Sequence, residues 1–164
     1  MANAFNINIG ATATYNPFRA YFVGTNGHIY QIVADTGSAI SVVDINVSLP
    51  LLADLSNTRS YSPIAAAIAW RSTGTDYIRV YYIDPNNNLT ELIYSDTGPT
   101  LGWSIGARGG EIGTAAPDSR LLYATVAWSA STTAEIRVRF QSSSTSGQNM
   151  TEARYTNGWS FAEL

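Results

Sequence analysis

Residues 66–103 read AAIAWRSTGTDYIRVYYIDPNNNLTELIYSDTGPTLGW, and residues 124–159 read ATVAWSASTTAEIRVRFQSSSTSGQNMTEARYTNGW. The two stretches share one order of residues. In the first, Trp70 is followed by Ile78-Arg79-Val80, then by Leu89-Thr90-Glu91, then by Gly102-Trp103. In the second, Trp128 is followed by Ile136-Arg137-Val138, then by Met150-Thr151-Glu152, then by Gly158-Trp159. Nine positions separate Trp from Arg in both. An earlier stretch holds a worn copy: Tyr15, Arg19-Ala20-Tyr21-Phe22 and Ile29-Tyr30-Gln31. Self-similarity at a fixed period is the mark of a repeat architecture. Each full copy also sets one Arg, one Glu and one Trp at matched places.

The period is 60 positions from Arg19 to Arg79 and 58 from Arg79 to Arg137. Within each repeat, short runs of Val, Ile, Tyr, Phe and Thr alternate with clusters of Gly, Asn, Asp, Ser and Pro, which is the pattern of strands and turns. Strands are expected near 5–9, 11–15, 18–23, 28–33, 39–47, 64–70, 77–83, 88–94, 102–107, 121–128, 135–141, 149–155 and 158–162. Helical periodicity is weak, with one turn of helix at most over 50–57. The fold class is therefore all-β. About four antiparallel strands per repeat make a β-propeller blade, and the repeats fall at approximately 5–60, 61–118 and 119–164. Three blades cannot close a ring and would leave two sheet flanks with exposed apolar faces. A homodimer with two-fold symmetry would cover both and give six blades.

Composition narrows the function. The chain has 164 residues, 45% apolar and 13% charged, which suits one domain with a real core. Cys is absent, and His28 is the only His, so no Cys-based zinc site and no metal centre is expected. The net charge is −3 without a basic cluster, which argues against nucleic acid as a partner. No apolar run approaches the roughly 18 residues of a membrane span. The first residues carry neither a charged nor an apolar leader region. A soluble, cytoplasmic or non-classically secreted protein fits this pattern, and the compartment stays open.

Arg79 and Glu91 are centred on Pro85, so an odd-length turn there would set them directly opposite on one face of a hairpin. Arg19 and Gln31 keep the same separation of 12 positions. Arg137 and Glu152 are 15 apart, so their loop must be longer and of even length. The pair has two readings. It is a cross-strand ion pair that stabilises a blade, or it is a polar clamp in which the Arg fork donates and the carboxylate accepts around two vicinal hydroxyls. A nearby Trp would then supply the apolar platform. Repetition of the whole trio favours the ligand reading. Trp70 and Trp128 end apolar runs and read as core or channel lining. Arg139 and Arg154 fall out of phase and read as solvated or flank charges. No nucleophile-elbow phrase accompanies His28. Each clamp holds one carboxylate, whereas a glycosidase needs two, so no enzyme is expected.

At these residues the chain resembles fungal fucose-specific lectins of the Aleuria type and their short bacterial relatives. Ile-Arg-Val-Tyr-Tyr, Leu-Thr-Glu-Leu-Ile-Tyr and Gly-Trp-Ser-Ile-Gly-Ala carry the likeness, and the terminal repeat adds Met-Thr-Glu-Ala-Arg-Tyr and Gly-Trp-Ser-Phe-Ala. It is good over about 62–162 and weak over 1–60. The resemblance implies six-bladed propellers with L-fucose pockets between adjacent blades, recognising fucosylated glycans without catalysis or cofactor. It implies a best pocket of Arg79 and Glu91 with Trp159, Tyr155 and Ala107. A second pocket would use Arg19 and Gln31 with Trp103 and Tyr94, weakened because Gln carries no charge. A third would use Arg137 and Glu152 with aromatics from the first blade of the partner chain, and that blade shows no Gly-Trp near 35–45 to provide them. A lectin for another sugar, or a structural, protein-binding propeller, remains the alternative.

Overall fold

The computed structural model describes residues 10–12, 18–24, 26–34, 40–45, 64–72, 75–95, 102–107, 110–128, 134–143 and 150–164. The expected strand at 5–9 and helical turn at 50–57 lie outside them. Twelve strands are present among the described residues: β1 (Gly10–Thr12), β2 (Phe18–Val23), β3 (Ile29–Ala34), β4 (Ser41–Asp44), β5 (Ile64–Ser72), β6 (Thr75–Ile83), β7 (Leu89–Ser95), β8 (Gly102–Ile105), β9 (Leu122–Trp128), β10 (Ala134–Phe140), β11 (Thr151–Tyr155) and β12 (Trp159–Glu163). They form three antiparallel four-stranded sheets in simple sequence order, β1 to β4, β5 to β8 and β9 to β12. The first strands of the sheets, β1, β5 and β9, lie side by side. Among the described residues, no helix is long and apolar enough to cross a membrane.

Alternation along the strands assigns their faces, because neighbouring side chains of a strand point to opposite sides. On β6, Ile78, Val80 and Tyr82 face the first sheet, where they meet Tyr21, Ile29 and Ile45. Tyr81 and Ile83 face the last sheet, and with Leu89, Ile112 and Ala115 they meet Ile136, Val138, Phe140 and Ala153. The apolar core therefore lies in two layers between sheets. The middle sheet is covered on both faces, which is why Leu89 to Leu92 of β7 are all buried.

The two outward faces are unlike each other. Beside the first sheet, Ile40 is 70% exposed and Val42 is also open to solvent. The last sheet instead presents Glu135, Arg137, Arg139 and Arg154 in a charged cluster around a buried Glu152. The expectation of two apolar flanks is thus corrected for this face: Arg139 stands where the preceding sheets carry Tyr21 and Tyr81. The strands of Trp70 and Trp128 are present, but their side chains lie outside the described ones, as does the proposed channel lining.

Candidate functional site

The register corrects the expected pairing. Tyr81, not Arg79, is directly opposite Glu91, and Arg79 is opposite Ile93. The hairpin is centred on Asn86 rather than Pro85, because Ile83 pairs with Leu89 across a five-residue turn, 84–88. Asp84 Oδ1 accepts hydrogen bonds from the amides of Asn86 and Asn88, and Asn87 adopts φ 66°. Asn tolerates this left-handed conformation better than most residues. Arg79 and Glu91 still share a face, as diagonal neighbours.

Glu91 is the hub of the site, only 3% exposed at its side chain. Its Oε1 accepts from Arg79 Nη1 at 2.6 Å and from the Tyr81 hydroxyl at 2.8 Å. Its Oε2 accepts from the Ala107 amide at 3.2 Å. Arg79 is 13% exposed; burial opposes its charge, but the adjacent Glu91 carboxylate prevails and raises its pKa. Burial, followed by the charge of Glu91, drives the Tyr81 phenol well above its usual range, so it stays a donor.

The last sheet supplies the aromatic wall. The Arg79 guanidinium lies over the Tyr155 ring at 5.1 Å, a cation–π distance. Tyr155 meets Trp159 at 5.3 Å and 53°, and Trp159 stands edge-on to Tyr81 at 6.2 Å. Arg79, Glu91, Tyr155 and Trp159 are therefore brought together, with Ala107 beside Glu91.

One sheet earlier, the arrangement recurs with closely similar dimensions. Arg19 lies over Tyr94 at 5.0 Å, Tyr94 meets Trp103 at 5.3 Å and 55°, and Trp103 stands edge-on to Tyr21 at 5.8 Å. Tyr21 is directly opposite Gln31, as Tyr81 is opposite Glu91. The difference is chemical: the fully buried Tyr21 hydroxyl makes no hydrogen bond, and burial pushes its pKa above the ordinary range.

The third pair is built differently. Arg137 Nη1 is 3.9 Å from Glu152 Oε1, while Arg139, directly opposite Glu152, binds Oε2 through Nε and Nη2 at 2.8 Å. Arg154 Nη2 donates to Oε1 at 3.0 Å, and Arg137 pairs with Glu135. Arg139 and Arg154 are thus in phase with Arg137, contrary to the sequence expectation; alternation from Arg137 to Arg139 and pairing of Arg154 with Arg137 put all three on one face. The hydrogen bond from Arg154, then that from Arg139, holds the Glu152 carboxyl below its usual pKa against the cost of burial.

Sequence reasoning missed Tyr21 and Tyr81. The repeated Arg-x-Tyr, with its two-residue spacing on one strand face, was the signal. His28, unassigned by sequence, pairs with Asp44 at 2.9 Å.

Chemically, the middle site offers a donor fork, a buried carboxylate and an aromatic wall. That set suits a small polyhydroxy ligand with one apolar side. The fungal fucose-specific lectin family model matches residues 5–162. The fucose-specific lectin of Aleuria aurantia is 31% identical over 107 residues, covering 64% of this chain and 32% of that protein. The structure is similar to that of Aleuria aurantia lectin, described as a six-bladed β-propeller with a novel fucose recognition mode (TM-score 0.69, 25% identity, 89% of this chain and 44% of that one). It is equally similar to a variant of that lectin in complex with alpha-methyl-L-fucoside (TM-score 0.68, 26% identity, with the same coverage). AofleA of Arthrobotrys oligospora shares the fold at 22% identity (TM-score 0.64, 91% of this chain and 39% of that one). The chain spans less than half the length of these relatives, so its three sheets correspond to a partial set of propeller blades. With a match that runs through all three sheets, this chain belongs to the fungal fucose-specific lectin family.

Proposed function

We propose that this protein is a non-catalytic lectin for L-fucose and fucosylated glycans, with its principal pocket between the middle and last blades. Arg79 and Glu91 bind sugar hydroxyls, Trp159 and Tyr155 pack on the apolar face, and Ala107 lines the methyl end. The observation that carries this reading is the recurrence of one guanidinium–Tyr–Trp constellation at two successive blade junctions. A structural ion pair needs no conserved aromatic geometry beside it, and the first junction keeps that geometry without any carboxylate.

Arg19, Gln31, Trp103 and Tyr94 form a second, weaker pocket. Arg137 and Glu152 form a third that needs a following blade. The repeats at 5–60, 61–118 and 119–164 make one propeller domain, and a homodimer closes six blades. One monosaccharide offers few atoms, so each pocket is modest; several on one rigid ring raise avidity by about 10²–10⁴.

Titration calorimetry with methyl α-L-fucoside tests the reading. Arg79→Lys keeps the charge and loses the planar fork, and it is expected to weaken binding at least about tenfold. Unchanged affinity in this variant overturns the site. A preference for non-fucosylated sugars on a glycan array overturns the ligand.

A further inference from the structure

We propose that the Gly106–Ala107 bulge determines which of the three arginine sites, Arg19–Gln31, Arg79–Glu91 or Arg137–Glu152, is fit to hold sugar, by fixing the posture of Glu91. The proposal rests on the lectin reading above and adds a positioning element to it. Glu91 accepts a backbone hydrogen bond from the Gly106 amide and donates one to the Ala107 carbonyl, both at 2.9 Å. Two residues of one strand thus oppose one of the other, the arrangement of a β-bulge, which re-aims what lies beside it. Here it aims the Ala107 amide at Glu91 Oε2.

Gly106 makes room for that contact. A Cβ at this position would lie 2.2 Å from Glu91 Oε2 and 2.8 Å from Ile93 Cδ1. The carboxylate therefore rests against bare backbone, with one oxygen held by an amide and the other by Arg79 and Tyr81.

The other two blades lack the device. Val43 is opposite Gln31, and Ala162 is opposite Glu152. Their ladders continue past that point, from Ile45 N to Ile29 O at 2.9 Å and from Leu164 N to Met150 O at 2.8 Å. Each carries a Cβ where Gly106 has none. Glu152 is held instead by Arg139 and Arg154, long side chains that are over a third exposed. A backbone amide orients a carboxylate with no rotamer entropy left to lose, whereas two arginines must be ordered again with ligand present. Gly106 touches no sugar in this account; it acts through Glu91.

The test uses the full chain, methyl α-L-fucoside and the Ala107 amide resonance. In the wild type, the Ala107 amide resonance is shifted downfield by its carboxylate acceptor, and Glu91→Gln moves it upfield. Gly106→Ala is expected to remain folded by circular dichroism, move the resonance upfield in the same way and bind at least tenfold more weakly. Wild-type affinity in Gly106→Ala overturns the proposal, as does an Ala107 amide whose shift is the same in the wild type and in Glu91→Gln, whether or not Gly106→Ala folds. If Arg79→Lys loses affinity while Gly106→Ala keeps it, the positioning role falls and the lectin reading stands. If the wild type binds no fucoside, both fall.

Discussion

Tyr81 and Glu91 face each other across the central hairpin of the middle blade, and the Tyr81 hydroxyl donates to the same carboxylate oxygen, at 2.8 Å, that Arg79 holds at 2.6 Å. One buried charge is thus shared between a neutral and a cationic donor. A guanidinium carries five N–H donors in a planar fork, so the residue that orders the carboxylate is of a type that can also meet a ligand. The aromatic wall of the next blade closes over both.

Removing Arg79 strands a carboxylate that is 3% exposed. Loss of one partner of a buried pair costs about 3–5 kcal/mol, and the Tyr81 and Ala107 donors keep the cost near the lower end. Arg79→Ala is expected to lower the melting temperature by about 10 °C, at roughly 2–4 °C per kcal/mol. Adding Glu91→Gln should restore most of it. An unchanged melting curve for Arg79→Ala would show that the pair is not structurally coupled to the blade junction.

At the first junction, Gln31→Glu supplies a charged acceptor directly opposite the unpaired Tyr21 hydroxyl and diagonal to Arg19. Satisfying a buried orphan donor is expected to stabilise the fold by about 1 kcal/mol at neutral pH. Without a bulge at Val43, the same change should leave one tight fucoside site per chain. A second site of equal affinity in calorimetry would contradict that count.

Glu152 gives the acid limb of stability a specific origin. Its folded pKa lies below the unfolded value near 4.5, chiefly through the Arg154 hydrogen bond. Its contribution is therefore complete above about pH 5 and is lost as pH falls from there through the lowered folded pKa. Glu152→Gln should flatten this part of the denaturation midpoint–pH curve. A slope equal to wild type would assign the acid sensitivity to other carboxylates.

The outward faces beside Ile40 and around Arg139 predict assembly. A closed ring of six blades requires two copies, so sedimentation or light scattering should report twice the chain mass of 17.7 kDa. Arg139→Glu puts a like charge against Glu152 and should weaken the assembly. A wild-type mass of one chain excludes closure by dimerisation.

Most of the fold was legible because strand alternation and repeat period are local properties. Twelve of the expected strand positions meet observed strands, and the even-length loop between β10 and β11 follows from the separation of Arg137 and Glu152. The register of the β6–β7 hairpin was not legible. Pro85 looked like its centre, yet the Asp84 cap and the left-handed Asn87 place the turn one residue later. A one-residue change in centre moves the partner of Glu91 from Arg79 to Tyr81. The phase of Arg139 and Arg154 was readable from two-residue alternation, and its misreading hid the charged flank.

The sequence by itself determined three blade-like repeats, an all-β chain and a recurrent Arg, carboxyl and Trp set, because periodicity is written along the chain and each strand obeys it locally. Residue pattern did not say which aromatic closes over which guanidinium; the family resemblance implied Tyr155 for Arg79, and the two meet because the middle and last sheets pack. Tertiary structure alone distinguished Glu91 from Glu152. That difference depends on a bulge with no side chain at Gly106, and a missing Cβ matters only once a carboxylate has been folded against it.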